Sequence, residues 1–285
     1  TVINVNIGEA SADPVFCISD LLIHLAADQL DKKASKVVEG DDLNVLCGNM
    51  PLFSEEEKDK KDAVKANVLK LIKEKYDFEE EDFLAAEIEV VPAGEARDLG
   101  FDRSMILGYG QDDRVCAYPS VMALLETSEV LDKTACALLV DKEEIGSVGA
   151  SGMQSLFYEN LVAELVNLEG DYSDIKLRRA MTNSSVLSSD VSAAFDPNYA
   201  SVFEKNNCAF FGKGLVFNKY TGARGKSGSN DASAEYFAKI RRIMDEAEVA
   251  CQTAELGKVD VGGGGTIAYI LGNYNMEVID AVLAV

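Results

Sequence analysis

An α/β architecture is predicted for this chain of 285 residues, and three observations carry the prediction. From about residue 92 onward, short apolar runs bounded by turn residues alternate with stretches of helical periodicity. That alternation is the pattern of βαβ units, in which helices cover both faces of a sheet. Three of the apolar regions end in acids flanked by glycine or serine, and open α/β sheets gather their ligands at the C-terminal ends of their strands. Hydrophobic residues make up 47% of the chain, enough for a large core in one domain or two. Residues 1–91 differ in texture, so a domain boundary is placed near residue 92, with a second domain over 92–285.

The elements follow in order. Residues 1–8 alternate apolar and polar and break at Gly8, which reads as a strand exposed on one face. They open without a lead-in loop or an initiator Met, and further residues are expected upstream. Residues 18–26 read as a short helix capped by Ser19 or Asp20. Ser54 and Glu57 form a capping-box pattern ahead of a helix whose apolar stripe is Val64, Val68, Leu71 and Ile72. The acidic stretch 77–82 connects it to an alternating strand over 86–91, which Pro92 and Gly94 end. Beyond it, 104–110 reads as a strand, Pro119 opens a helix over 120–131, and Leu138, Leu139 and Val140 form a buried strand. Ser151 opens a helix carrying Leu156, Phe157, Leu161 and Leu165. A strand over 183–189 and another over 210–220 follow. Asp231 opens a helix with Phe237, Ile240 and Met244 inward, and the glycine run 262–265 leads into a last helix.

Composition removes several functions. The formal net charge of -22 argues against nucleic-acid and anionic-membrane partners, which need a basic face. No apolar run reaches the roughly 20 residues of a membrane-spanning helix and no signal peptide opens the chain, so a soluble cytoplasmic protein is expected. The six cysteines are scattered without CxxC pairs, which fits reduced, mostly buried thiols. With His24 the single histidine, neither an imidazole-rich zinc site nor a Ser-His-Asp triad can be complete within these residues.

The acids at the three apolar ends are Asp141, Glu143 and Glu144, then Asp112 and Asp113, then Asp190. One such acid is usually a helix cap or a solvated turn residue. Three sets, each beside Gly or Ser, favour a hard-oxygen metal site in a shared crevice. The loop Thr221-Gly222-Ala223-Arg224-Gly225-Lys226-Ser227-Gly228 superficially resembles a P-loop, but the motif's first glycine would fall on Tyr220. Arg224 and Lys226 suit a carboxylate better, or serve as surface charge. The run 262–265, Gly264 included, would let backbone approach a ligand closely.

Taken together, the segments resemble those of one family. Asp141-Lys142-Glu143-Glu144-Ile145-Gly146-Ser147 is similar to the D-x-E-E-[IV]-G-S motif of the aspartyl aminopeptidase (aminopeptidase I) family of dinuclear zinc exopeptidases. Gln111-Asp112-Asp113-Arg114 sits where that family carries its metal-bridging aspartate. Ser188-Ser189-Asp190, followed by Asp196-Pro197-Asn198-Tyr199, resembles its S-x-D…P-N-Y segment. Residues 219–232 and 262–267 resemble later glycine-rich loops, and Ile23-His24-Leu25 resembles an I-H-L segment of the oligomerisation domain. The resemblance runs along the whole chain.

It implies a zinc-exopeptidase-type mixed sheet flanked by helices, and residues 1–91 as part of a smaller β-rich oligomerisation domain. It also implies two divalent metals, zinc first and cobalt or manganese as substitutes. Asp112 would bridge the metals, Glu144 and Asp190 would each hold one, and Glu143 would be the general base. His24 would assist the active site of a neighbouring subunit, and Arg224, Lys226 and Gly264 would contact the peptide. The implied activity is release of N-terminal residues from peptides by a cytoplasmic homo-oligomer, a dodecamer. The family's two metal-binding histidines have no counterpart here and are expected beyond the two ends, which would leave the catalytic domain over 92–285 incomplete. The alternatives are a silent homologue kept as an assembly subunit, and a P-loop-like nucleotide hydrolase.

Overall fold

The structure is a computed structural model that describes residues 2–52, 62–223, 227–258 and 260–285. The chain divides into two units, Thr1–Tyr109 and Gly110–Val285.

In the first unit, β1 (Cys17–Ile18) pairs antiparallel with β2 (Val45–Leu46). Between them the chain makes a 3-10 turn at Ile23–Leu25 and a single turn of helix, α1 (Ala27–Leu30). The expected helix over 18–26 is thus confined to its end, because Asp20 is occupied locally, accepting from Leu21 N at 2.7 Å and from Gln29 Nε2 at 3.1 Å. The long helix α2 (Ala63–Tyr76) ends on Asp77 in the left-handed conformation. Its basic face is bound in exposed pairs, Lys73 to Asp77 and Lys70 to Glu74. The capping box expected at Ser54 and Glu57 lies outside the described residues. A second antiparallel pair joins β3 (Arg97–Leu99) to β4 (Met105–Leu107). The segments 2–8 and 86–91 form no strands. Alternation marks a strand only when a ladder partner takes up its N–H and C=O groups, and neither segment has one among the described residues.

The second unit opens with α3 (Gln111–Leu125). It starts before the expected Ser120 and carries Pro119 inside it. Proline there leaves one turn without its bond, and Ser120 Oγ donates to Cys116 O at 2.8 Å beside the gap. Leu138, Leu139 and Val140 form no strand and have no ladder partner among the described residues, and Leu139 is 60% exposed, so the buried strand expected there is not found.

Next come α4 (Phe157–Leu168) and α5 (Asp174–Thr182). The inward face of α4 is Tyr158, Val162 and Ala163, packed with Met153, Leu177 and Met181. Phe157, Leu161 and Leu165 are instead exposed. The helix starts at 157 rather than Ser151, because residues 151–156 are spent on turns.

Two short strands follow, β5 (Ser185–Ser188) and β6 (Val191–Ser192). β7 (Leu215–Asn218) is shorter than the expected strand over 210–220. The hairpin of β8 (Tyr220–Ala223) and β9 (Ser227–Asp231) comes next. The segment between these two strands therefore joins strand to strand, where a P-loop would join strand to helix. Helix α6 (Ala234–Glu246) begins after Ser233, whose Oγ accepts from Tyr236 N at 3.1 Å, and not at Asp231. It buries Tyr236 and Ile240 and packs Phe237 and Met244 beside them. β10 (Cys251–Thr253), α7 (Ala268–Gly272) and β11 (Glu277–Ala284) complete the chain.

β11 is the central strand. The sheet runs β10-β7-β11-β5, with β6 also paired to β11. β11 is parallel to β5 and β6 and antiparallel to β7, so the sheet is mixed. Alternate residues of β11 face opposite layers. Ile279 and Ala281 pack with Phe217 against α6. On the other face Val278 packs with α5 and α7, and Val282 packs with Val216. Each fully buried Phe or Ile contributes about 1.5–3 kcal/mol, which makes this crossing of strands the stable floor of the unit.

Candidate metal centre

Three elements of the second unit deliver acids to one place. Asp112 and Asp113 lie in the first turn of α3, where their backbone departs from helical angles (φ -81, ψ 110 and φ -117, ψ 20). The chain is turned there by Gly110, which is left-handed at φ 72. Asp190 follows β5 and precedes β6. Its carbonyl accepts from Leu283 N at 3.2 Å and from the Cys116 thiol at 2.7 Å, while its own Oδ1 accepts from Val191 N at 2.7 Å. Strand β11 and helix α3 thus fix the residue from both sides. One oxygen each of Asp112, Asp113 and Asp190 lies within 4.8 Å of the others.

The acid turn Glu143–Ile145 is a 3-10 turn held between two left-handed residues, Lys142 (φ 66) and Gly146 (φ 97). Ser147 N donates to Lys142 O at 2.8 Å and Gln154 Nε2 to Gly146 O at 2.7 Å. A side chain at Gly152 would bring its Cβ within 2.4 Å of Ser147 O, so only glycine allows that close backbone approach. Successive side chains on a 3-10 turn point about 120° apart, which separates Glu143 from Glu144. Glu143 is near enough to feel Asp112, and Glu144 acts on Glu143. Behind the turn, Leu138, Val140, Met153 and Tyr158 line an apolar hollow of about 550 Å³.

The electrostatics are those of crowded acids. Burial, opposed by the Val191 N–H and reinforced by Asp112, Asp113 and Glu143, pushes the Asp190 carboxyl up to about 7. Burial, then Asp112 and Glu143, raise Asp113 to about 6. Glu143 is raised by desolvation and by its neighbours Glu144 and Asp112. Burial pushes the Cys116 thiol up to about 12. Asp113 Oδ1 is buried and makes no hydrogen bond. An oxygen-only set with raised pKa values and an orphaned oxygen suits a divalent cation, which would satisfy that atom and favour the charged forms. The donor set therefore fits a metal, although carboxylates alone hold zinc less tightly than a set that includes imidazole.

Of the residues the sequence proposes, Asp112 and Asp190 come together with Glu143 beside them. Glu144 is on the same turn but outside the group of three. Gly264 lies in the second unit, its carbonyl accepting from Gly222 N at 3.0 Å. Arg224 and Lys226 lie outside the described residues. His24 is exposed on the 3-10 turn of the first unit. Asp113 is the acid that the sequence reading named but gave no ligand role. Its signal was a second acid directly after Asp112 where a glycine meets a helix start. Of the six cysteines, Cys116 and Cys208 are buried and the other four exposed, against the expectation of mostly buried thiols. The exposed four lie in short edge strands and loops rather than under the sheet.

Comparison with known proteins places these elements in context. A family model described as aminopeptidase I zinc metalloprotease (M18) matches residues 3–285. A probable M18 family aminopeptidase 1 of Clostridium acetobutylicum is 62% identical over 284 residues, covering 100% of this chain and 60% of the relative. The crystal structure of aminopeptidase I from Clostridium acetobutylicum superposes with a TM-score of 0.89 at 60% identity, over 100% of this chain and 60% of that one. The mApe1 dodecamer of S. cerevisiae shares the fold, with a TM-score of 0.63 at 18% identity over 96% of this chain and 57% of that one. The chain spans about three fifths of the length of the curated relatives it matches.

Proposed function

We infer function from family: the chain belongs to the aminopeptidase I (M18) family of zinc metalloproteases, and on that premise its acid cluster is the core of a metal-dependent aminopeptidase site. The observation that carries this is the meeting of Asp112, Asp113 and Asp190 within 4.8 Å, beside Glu143.

Two divalent ions are proposed, zinc in the first place, with cobalt or manganese able to substitute. Asp112, Asp113 and Asp190 would hold them, and Glu144 would reach in from its turn. When bound, such ions polarise a peptide carbonyl and lower the pKa of water. Glu143 takes a proton from the attacking water and passes it to the departing amine. Its place on the turn beside Asp112 sets it next to the acids that would hold the ions. Arg224, Lys226 and the backbone at Gly264 would hold the peptide.

A homo-oligomer, a dodecamer as in the S. cerevisiae relative, is the proposed assembly. The exposure of Leu21, Leu22, Ile23 and Leu25 around His24 supports an association surface there, which would bring His24 to a neighbouring copy's site. The test uses the full natural polypeptide, stripped with chelator and reloaded with zinc, cobalt or manganese, on aminoacyl anilides. Metal-dependent turnover is expected; none with any of the three metals would overturn the function.

A further inference from the structure

Asp280 sits in the middle of β11 with no part exposed (0%). Its ladder neighbours Ser188 and Asn218 are 1% and 3% exposed and face the same side. A strand that served stability alone would carry apolar residues here, as it does at Val278 and Val282 on that face. A buried carboxylate costs stability unless donors meet it, and burial does raise the Asp280 pKa, while Thr266, Ser188 and Thr221 pull it back.

Two of these hydroxyl donors come from glycine-rich segments. Thr221 Oγ1, in β8, donates to Asp280 Oδ2 at 3.1 Å. Thr266 Oγ1, at the end of the glycine run, donates to Oδ1 at 2.7 Å. The same Thr266 oxygen accepts from Ala268 N at 3.1 Å and so starts α7. The two segments also touch, Gly222 N donating to Gly264 O at 3.0 Å. Asn230 Nδ2, on the other strand of the hairpin, donates to Val278 O at 3.0 Å. Asp280 is thus the common anchor of both segments.

The anchor lies close to the acids. Asp280 stands opposite Ser188, two residues before Asp190 on the neighbouring strand, and Leu283 N of β11 donates to Asp190 O at 3.2 Å. At roughly 3.3 Å per residue the separation along the strands is about 7 Å. Gly263 and Gly265 are exposed, and among the described residues their N–H and C=O groups take no backbone hydrogen bond, while Gly265 lies against the backbone of Gly228 in the hairpin.

We propose that Asp280 is a positioning residue that clamps the hairpin and the glycine run into one rigid wall beside the acid cluster, and that this wall binds the main chain of the substrate peptide. The substrate part of this rests on the aminopeptidase function proposed above; the clamp itself does not.

The test compares Thr221→Val, Thr266→Val, Thr266→Ser and Asp280→Asn in the metal-loaded full polypeptide, reading amide hydrogen exchange, metal content and kinetics on peptides. Thr221→Val is expected to speed exchange at Gly222 and across residues 262–266 at least tenfold. It should raise KM for a tripeptide at least tenfold, with metal content and kcat within twofold of the natural protein. Thr266→Val should do the same and Thr266→Ser should restore both, which separates the clamp from a folding defect even if Asp280→Asn does not fold. Unchanged exchange in both valine variants would overturn the clamp. Faster exchange with an unchanged KM would overturn the wall's role in binding. An unaltered protein that turns over no peptide would overturn the aminopeptidase function instead, and the exchange data would still decide the clamp.

Discussion

Asp190 joins two opposing demands. Buried among acids, its carboxyl is pushed up to about 7, well above the usual carboxylate value near 4. A carboxyl raised in the folded state binds more protons folded than unfolded, so its contribution to stability is intact below about pH 4 and is lost as pH rises through about 7. Metal-free protein should therefore lose stability between about pH 4 and pH 7 by an amount that Asp190→Asn reduces, the rest coming from Asp113 and Glu143, which are raised as well. Thermal melts of the two proteins across that range check this, and identical pH slopes would refute it. Glu143 makes a different prediction. Glu143→Gln keeps the shape but cannot take a proton, so activity should fall by about 10²- to 10⁴-fold while metal content stays unchanged. Elemental analysis alongside kinetics on an aminoacyl anilide separates that from loss of ligand, as expected for Asp190→Ala. At this scale the sequence was informative wherever chemistry demanded an uncommon residue. Asp112, Asp190 and Glu143 were legible as acids stranded beside glycine or serine. Asp113 was named with them but given no role, because one acid next to another looks like a charged helix start. Asp280 was not, because an acid inside an apolar run reads as an interruption rather than as a buried anchor.

At the scale of elements, the acid turn stands on backbone contacts more than on side chains. Gly152→Ala pushes a methyl group into Ser147 O, and overpacking of this kind costs about 1–3 kcal/mol. The urea midpoint should drop accordingly, and metal affinity with it, since the turn carrying Glu143 and Glu144 must shift; an unchanged midpoint would mean that the turn yields freely. Helical faces were partly legible in advance. Phe237, Ile240 and Met244 of α6 point inward as their spacing requires, but the apolar stripe chosen for α4 faces outward. That helix is apolar nearly all round, and periodicity cannot choose a face when most faces qualify. The central strand β11 escaped notice because Asp280 breaks its apolar run. Leu138, Leu139 and Val140 mimicked a strand because apolar, β-prone composition is only half of what a strand needs; the other half is a neighbour to bond with.

For the whole molecule, the net charge of -22 sets how copies meet. Like-charged surfaces repel over a Debye length of about 30 Å at 0.01 M salt and about 8 Å at physiological ionic strength. Self-association should therefore strengthen between 20 and 300 mM salt, and sedimentation across that range checks it. A weaker assembly at higher salt would point to ion pairs between copies. The buried thiol that holds Asp190 in place has a practical corollary. With its thiol pushed up to about 12 and only 5% of the residue exposed, Cys116 should resist alkylation in the native protein. Cys17, Cys47, Cys136 and Cys251 lie open to reagent. Once those four are blocked, the slow labelling of Cys116, told from that of buried Cys208 by peptide mapping, times the opening of the metal centre itself, so the centre contains a clock for its own fluctuations that needs no engineered probe.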